Sequence, residues 1–193
     1  MRVRKMKAAS PPALECRSLL ALGGARSGKS RYARALAEAA KPDRLLIATA
    51  WPGDDEMAAR IARHRAERGE GWTTIEEQRD LVEALSREAR EERATVVDCL
   101  TFWLANLALS GRDLALETRR LRQAVQTLGG PVIFVSNEVG LGIVPETPLG
   151  RDFRDWQGRL NQELAAACDV VVFIAAGLPL VLKPASGATI ALR

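Results

Sequence analysis

Residues 23–30 read GGARSGKS, which satisfies the pattern G-x-x-x-x-G-K-[ST] in full. The chemistry of that pattern is phosphate binding. Gly23, Gly24 and Gly28 let the backbone curl so that its N–H groups turn inward toward phosphate oxygens. A helix starting near Lys29 adds its positive dipole end. Lys29 is expected to reach the β- and γ-phosphates of a nucleoside triphosphate, and the Ser30 hydroxyl to ligate Mg²⁺. The alternative is a glycine-rich turn that binds nothing. An apolar strand before the motif and an alanine-rich helix after it argue for the phosphate loop (P-loop).

A P-loop needs a second, metal-side carboxylate at the end of a neighbouring strand. The segment ATVVDCLT supplies Asp98 at the end of an apolar run. Its metal role is favoured over its other reading, a helix N-cap. The single histidine, His64, lies in DDEMAARIARHRAERG. Met57, Ile61 and His64 follow helical spacing, so a histidine at the edge of a core explains the placement. The rival is a nucleophile, because a neutral imidazole is available near pH 7 and can attack phosphorus. The pattern alone leaves both open. Asn137 and Glu138 follow an apolar run, where α/β proteins bind ligands, and could sense a phosphate or only cap the loop containing Gly140 and Gly142. Arg151 and Arg154 read as a solvated helix face, with phosphate contact as the alternative.

Apolar runs must place these groups. Strands are expected at residues 18–22, 44–48, 94–98, 131–136 and 170–175. Helices are expected at 30–40, 54–68, 80–92, 101–109, 113–128 and within 149–168. A hairpin strand is expected after Gly177. Strands that are apolar throughout are buried on both faces, so the alternation implies a single-domain α/β fold with a mostly parallel sheet between helix layers.

The 193 residues suffice for one domain with a real core. The net charge of +4 would suit a nucleic-acid partner, but residues 1–17 hold five basic residues against one acidic, so residues 18–193 sum to zero. Residues 1–17 are expected to be a disordered basic leader and residues 18–193 the folded domain. Cys16, Cys99 and Cys168 are scattered and suggest neither a disulfide framework nor a zinc site; a reducing cytoplasm fits. No apolar run approaches the ~18 residues that span a bilayer.

Several segments in order, GGARSGKS, IATA (47–50), DDEMAARIARHR (54–65), DCLT (98–101), SNEVGLGIVPE (136–146) and GRLNQELAAACD (158–169), resemble the bifunctional adenosylcobinamide kinase / adenosylcobinamide-phosphate guanylyltransferase family of cobalamin synthesis. The resemblance runs from about Leu20 to Lys183. It implies a fold similar to recombination ATPases (RecA-like P-loop NTPases) and a homotrimer. It implies phosphorylation of adenosylcobinamide, a corrinoid, by ATP or GTP, then GMP transfer from GTP through a histidine matching His64. It maps nucleotide contacts onto Gly23, Gly24, Ala25, Arg26, Ser27, Gly28, Lys29 and Ser30, onto Ala48, Thr49 and Ala50, onto Arg65, Ala66, Glu67 and Arg68, and onto Glu76 and Asp98. Ala50 stands where serine is usual and Asp98 where glutamate is common. A kinase without the transferase and a nucleic-acid-stimulated P-loop ATPase are the competing functions. Zero net charge in the folded region and few aromatics count against the second, leaving a small-molecule partner and no nucleic acid.

Overall fold

The computed structural model describes residues 15–51 and 69–184; His64, Arg65, Ala66, Glu67, Arg68 and the helix expected at 54–68 lie outside the described residues. The described elements are β1 (Ser18–Gly23), α1 (Lys29–Ala40), β2 (Asp43–Ala48), β3 (Trp72–Glu76), α2 (Leu81–Glu88), β4 (Arg93–Asp98), α3 (Leu100–Leu109), α4 (Leu114–Val125), β5 (Val132–Asn137), α5 (Pro148–Ala167), β6 (Val170–Ala175) and β7 (Leu178–Lys183). The strands form one seven-stranded sheet in the order β3-β2-β4-β5-β1-β6-β7. Every pairing is parallel except β6 with β7.

Alternation along each strand splits the core in two. Leu20, Leu22, Ile47, Val97 and Phe134 pack on one face with Leu85, Trp103, Leu121 and Leu160 from α2 to α5. Leu19, Ala21, Val96, Val135 and Val172 pack on the other with Ala33 and Ala37 of α1. Each central strand is apolar at nearly every position because both its faces are covered. Ala33 and Ala37 are fully buried, and their small side chains let α1 sit close to the sheet.

Two expectations are corrected. β3 was not expected. It forms the sheet edge, pairs only with β2, and carries the part-exposed sequence WTTIE, so no continuous apolar run marks it. The helix expected at 80–92 ends at Glu88. Ala89 turns extended, and a tight turn closed by the Arg93 N–H on the Arg90 carbonyl feeds the chain into β4. Gly129 and Gly130 pack against the backbone of Ala89 and Arg90, which leaves no room for another helical turn.

Candidate active site

The P-loop leaves β1 at the carboxyl end of the sheet and enters α1. Gly23 has φ +151°, and a side chain there would collide with the Ile174 carbonyl oxygen. Gly28 has φ +101° and is the N-cap of α1; a Cβ there would lie 3.2 Å from the Cα of Gly177. Both positions therefore require glycine on conformation and on space. The Gly177 N–H donates to the Ser27 carbonyl at 2.8 Å, so the β6–β7 turn braces the loop from behind.

No side chain caps α1, and its first turn holds no acidic residue. The start of the helix therefore carries no negative side chain of its own, and the helix dipole favours an anion there. Lys29 is only 6% exposed, and its Nζ donates to the Gly24 carbonyl at 2.6 Å. The ammonium sits inside the loop it is expected to serve.

Asp98 ends β4, level with Ala48 of β2 on one side and Val135 of β5 on the other. The N-cap of α3 is Cys99, not Asp98. Among the described residues the Asp98 carboxylate makes no hydrogen bond or ion pair, and neither does the Ser30 hydroxyl. A carboxylate and a hydroxyl left uncommitted are hard oxygen donors of the kind Mg²⁺ takes.

Thr49 locks the strand ends beneath this point. Its hydroxyl donates to the Cys99 carbonyl at 2.6 Å and accepts the Cys99 N–H at 2.8 Å. Its N–H donates to the Asp98 carbonyl, and its own carbonyl accepts from the Asn106 amide. Every polar atom of Thr49 is thus spent, the hydroxyl and N–H on the Asp98–Cys99 segment and the carbonyl on Asn106 of α3. Burial, followed by the nearby Asp98 charge, pushes the Cys99 thiol up to about 11, so it stays protonated at neutral pH. Ala48 and Ala50 flank Thr49, and Glu76 is exposed at the end of β3, level with Ala48. A cleft of about 440 Å³ opens on this side, lined by Trp51, Gln78, Arg79, Asn106, Leu109 and Ser110.

Asn137 ends β5 level with Gly23 of β1. The Glu138 N–H donates to the Gly23 carbonyl at 3.0 Å, tying the next loop to the P-loop strand. The pair divides. Glu138 Oε1 accepts the Gly140 N–H and so shapes its own loop, whereas the Asn137 side chain makes no hydrogen bond among the described residues. Arg151 donates to the carbonyls of Pro145 and Glu146, which pins the same loop to α5. Arg154 lies 3.7 Å from Asp155. Sequence reasoning gave no role to Thr101 and Asn161, which bond the Asn137 backbone, or to Ser136 and Gln157, which hold Asn161; the polar trio Ser136, Gln157 and Asn161 on an otherwise apolar helix-and-strand face was the available signal.

Comparison with known proteins agrees with this geometry. The model of the family described as cobinamide kinase / cobinamide phosphate guanyltransferase matches residues 19–182. The bifunctional adenosylcobalamin biosynthesis protein CobP of Pseudomonas aeruginosa is 48% identical over 166 residues, covering 85% of this chain and 96% of that protein. The bifunctional adenosylcobalamin biosynthesis protein CobU of Salmonella typhimurium is 42% identical over 180 residues, covering 86% and 99%. Among solved structures, the ATPase EscN of an enteropathogenic E. coli type III secretion system superposes with a TM-score of 0.54 at 11% identity. That match covers 83% of this chain and 43% of EscN, and it bears on the fold alone. A sheet with a P-loop on an interior strand, the uncommitted Asp98 two strands away, and a match over nearly the whole length place the chain in one family: it belongs to the cobinamide kinase / cobinamide phosphate guanyltransferase enzymes.

Proposed function

We propose that the chain phosphorylates the aminopropanol hydroxyl of adenosylcobinamide with ATP or GTP and then transfers GMP from GTP to the product, giving adenosylcobinamide-GDP and pyrophosphate. The observation that carries the phosphoryl-transfer half is the uncapped start of α1 wrapped by the 23–30 loop, with Lys29 inside it. The backbone N–H groups bind the phosphates, and Lys29 offsets charge that builds on the β,γ oxygens. Ser30 and Asp98 are the residues suited to hold Mg²⁺, which when bound neutralises phosphate charge.

For GMP transfer, the lone histidine, His64, serves as nucleophile. Its ring nitrogen forms a bond to the α-phosphorus of GTP as the bond to pyrophosphate breaks. A phosphate oxygen of adenosylcobinamide phosphate then takes the GMP and the phosphorus–nitrogen bond breaks. Family membership over residues 19–182, which include His64, supports this half of the reading. The enzyme works in the cytoplasm as a homotrimer. Support for self-association comes from apolar side chains exposed in two places, Leu141, Ile143 (97% exposed) and Leu149 around the loop after β5, and Leu178 and Leu180 on the edge strand β7. Among the described residues no helix is long and apolar enough to cross a membrane.

Intact mass after incubation with GTP and Mg²⁺ is the deciding measurement. A covalent GMP adduct that is acid-labile, base-stable and absent from His64→Ala is expected, with kinase turnover partly retained in that variant. A folded His64→Ala protein that still carries GMP overturns the nucleophile assignment. Phosphoryl transfer without any adduct in the wild-type protein identifies an enzyme with the kinase activity alone.

A further inference from the structure

The central strand between the Asp98 strand and the P-loop strand outlasts one of its neighbours. β4 stops at Asp98, level with Val135, while β5 continues to Asn137. On that side the backbone of Asn137 has no ladder partner, and an unpaired polar group at a strand end frays. Side chains take the place of the missing strand. The Asn137 N–H donates to the Thr101 hydroxyl at 3.0 Å, and the Asn137 carbonyl accepts from Asn161 Nδ2 at 3.1 Å. Thr101 stands in the first turn of α3, three residues beyond Asp98.

The Asn161 amide is itself held. Its Oδ1 accepts from the Ser136 hydroxyl at 2.6 Å and from Gln157 Nε2 at 3.0 Å, and Gln157 Nε2 also donates to the Ser136 hydroxyl. These contacts orient the Asn161 nitrogen toward Asn137. Ser136 and Gln157 are fully buried and Asn161 nearly so. Among the described residues Gln157 Oε1 is buried without a partner, which costs stability that an apolar trio would not. A polar network kept at a cost beneath one residue argues for a positional task.

We propose that Thr101 and Asn161 are positioning residues for phosphoryl transfer: together they clamp the backbone of Asn137 so that its side-chain amide is fixed between the metal-side strand β4 and the P-loop strand β1. The inference rests on the reading of residues 23–30 and Asp98 as the phosphate and metal site. Asn137 is the terminal residue of the strand between them, where the transferred phosphoryl group and its acceptor must meet. Thr101 and Asn161 act through Asn137 and need not touch the nucleotide.

The test is steady-state phosphorylation of adenosylcobinamide with Thr101→Val, Thr101→Ser, Asn161→Leu, Asn137→Ala and the double variant Thr101→Val/Asn137→Ala. Nucleotide Kd and thermal melting are measured on each. Thr101→Val and Asn161→Leu should lower kcat by about tenfold or more, the scale of a small misplacement near the chemistry, with nucleotide Kd within about twofold of wild type. Thr101→Ser keeps the hydroxyl and should restore kcat. The double variant should lose no more than Asn137→Ala alone, because Thr101 works through that residue. If Thr101→Val does not fold, Asn161→Leu carries the same expectations. Wild-type kcat in a folded clamp variant overturns the proposal, as do losses that multiply in the double variant. Lys29→Ala, run alongside, separates the two readings. If it keeps turnover the phosphate site is wrongly placed, and if it is inactive while Thr101→Val is unaffected, only the clamp fails.

Discussion

Thr49→Val should destabilise the protein by an amount that follows from two hydrogen bonds. Thr49 is fully buried, and valine nearly reproduces its shape without donor or acceptor. The Cys99 carbonyl keeps a second partner, the Trp103 N–H at 3.2 Å, so losing the Thr49 hydroxyl removes one ordinary bond, about 1 kcal/mol. The Cys99 N–H has no other acceptor among the described residues. In the variant it becomes a buried orphan donor, at about 1–3 kcal/mol. The expected loss is therefore about 2–4 kcal/mol, which for a chain of this length lowers the melting temperature by roughly 4–16 °C. Thr49→Ser retains both bonds and gives up one methyl group, about 1 kcal/mol. Circular-dichroism melts and guanidinium titrations without nucleotide measure both variants. A valine variant within about 0.5 kcal/mol of wild type, or a serine variant less stable than it, would show that the hydroxyl does not hold β2 to β4.

Lys29→Ala should abolish phosphoryl and GMP transfer together, measured as phosphorylated corrinoid and as covalent GMP; near-normal turnover would remove the P-loop from the chemistry. Asp98→Asn should depress turnover across a magnesium titration more than it weakens nucleotide binding, because the amide keeps the shape and loses the charge. Equal magnesium dependence in both proteins would sink the metal role. Acid stability should reflect Asp169. Burial raises its carboxyl, but the N–H groups of Arg17 and Ser18 and the Ser18 hydroxyl outweigh it, so the group is held below its ordinary range. A depressed folded pKa stabilises above the unfolded value of ~3.9, and that stabilisation is lost as pH falls through the folded value. Melts should therefore drop below about pH 4, and Asp169→Asn should flatten the drop; an unchanged profile refutes this account.

The P-loop and most of the sheet were legible because their signals are local. A glycine pattern between an apolar strand and a helix, and strands apolar at nearly every position, report burial on both faces without any knowledge of neighbours. β3 was not legible because an edge strand with one partner has little apolar demand, and Trp72, Thr73, Thr74, Ile75 and Glu76 satisfy it without a run. Asp98 was legible as the carboxylate that ends an apolar strand but was not separable from an N-cap until Cys99 was seen to hold that position. The surroundings of Asn137 depend on register, two residues of β5 extending past β4, and no property of Thr101 or Asn161 in isolation encodes that. His64 sits on sequence spacing that serves a core edge as well as a nucleophile, so the proposal for it rests on likeness to a family rather than on its own surroundings.

The strand order has a consequence for how the protein is made. β1 leaves the ribosome first, yet its two neighbours in the sheet are β5 and β6, and Ser18 pairs with Val132 while Leu19 pairs with Val170. The strand that carries the P-loop therefore waits, apolar and unpaired, through most of synthesis. Its brace from Gly177 arrives later still, in the turn before the last described strand. The cradle thus acquires its supports only when translation has passed the sixth strand. β2, β3 and β4, consecutive strands in sequence and adjacent in the sheet, form the part able to collapse first, and the P-loop strand closes onto that part at the end.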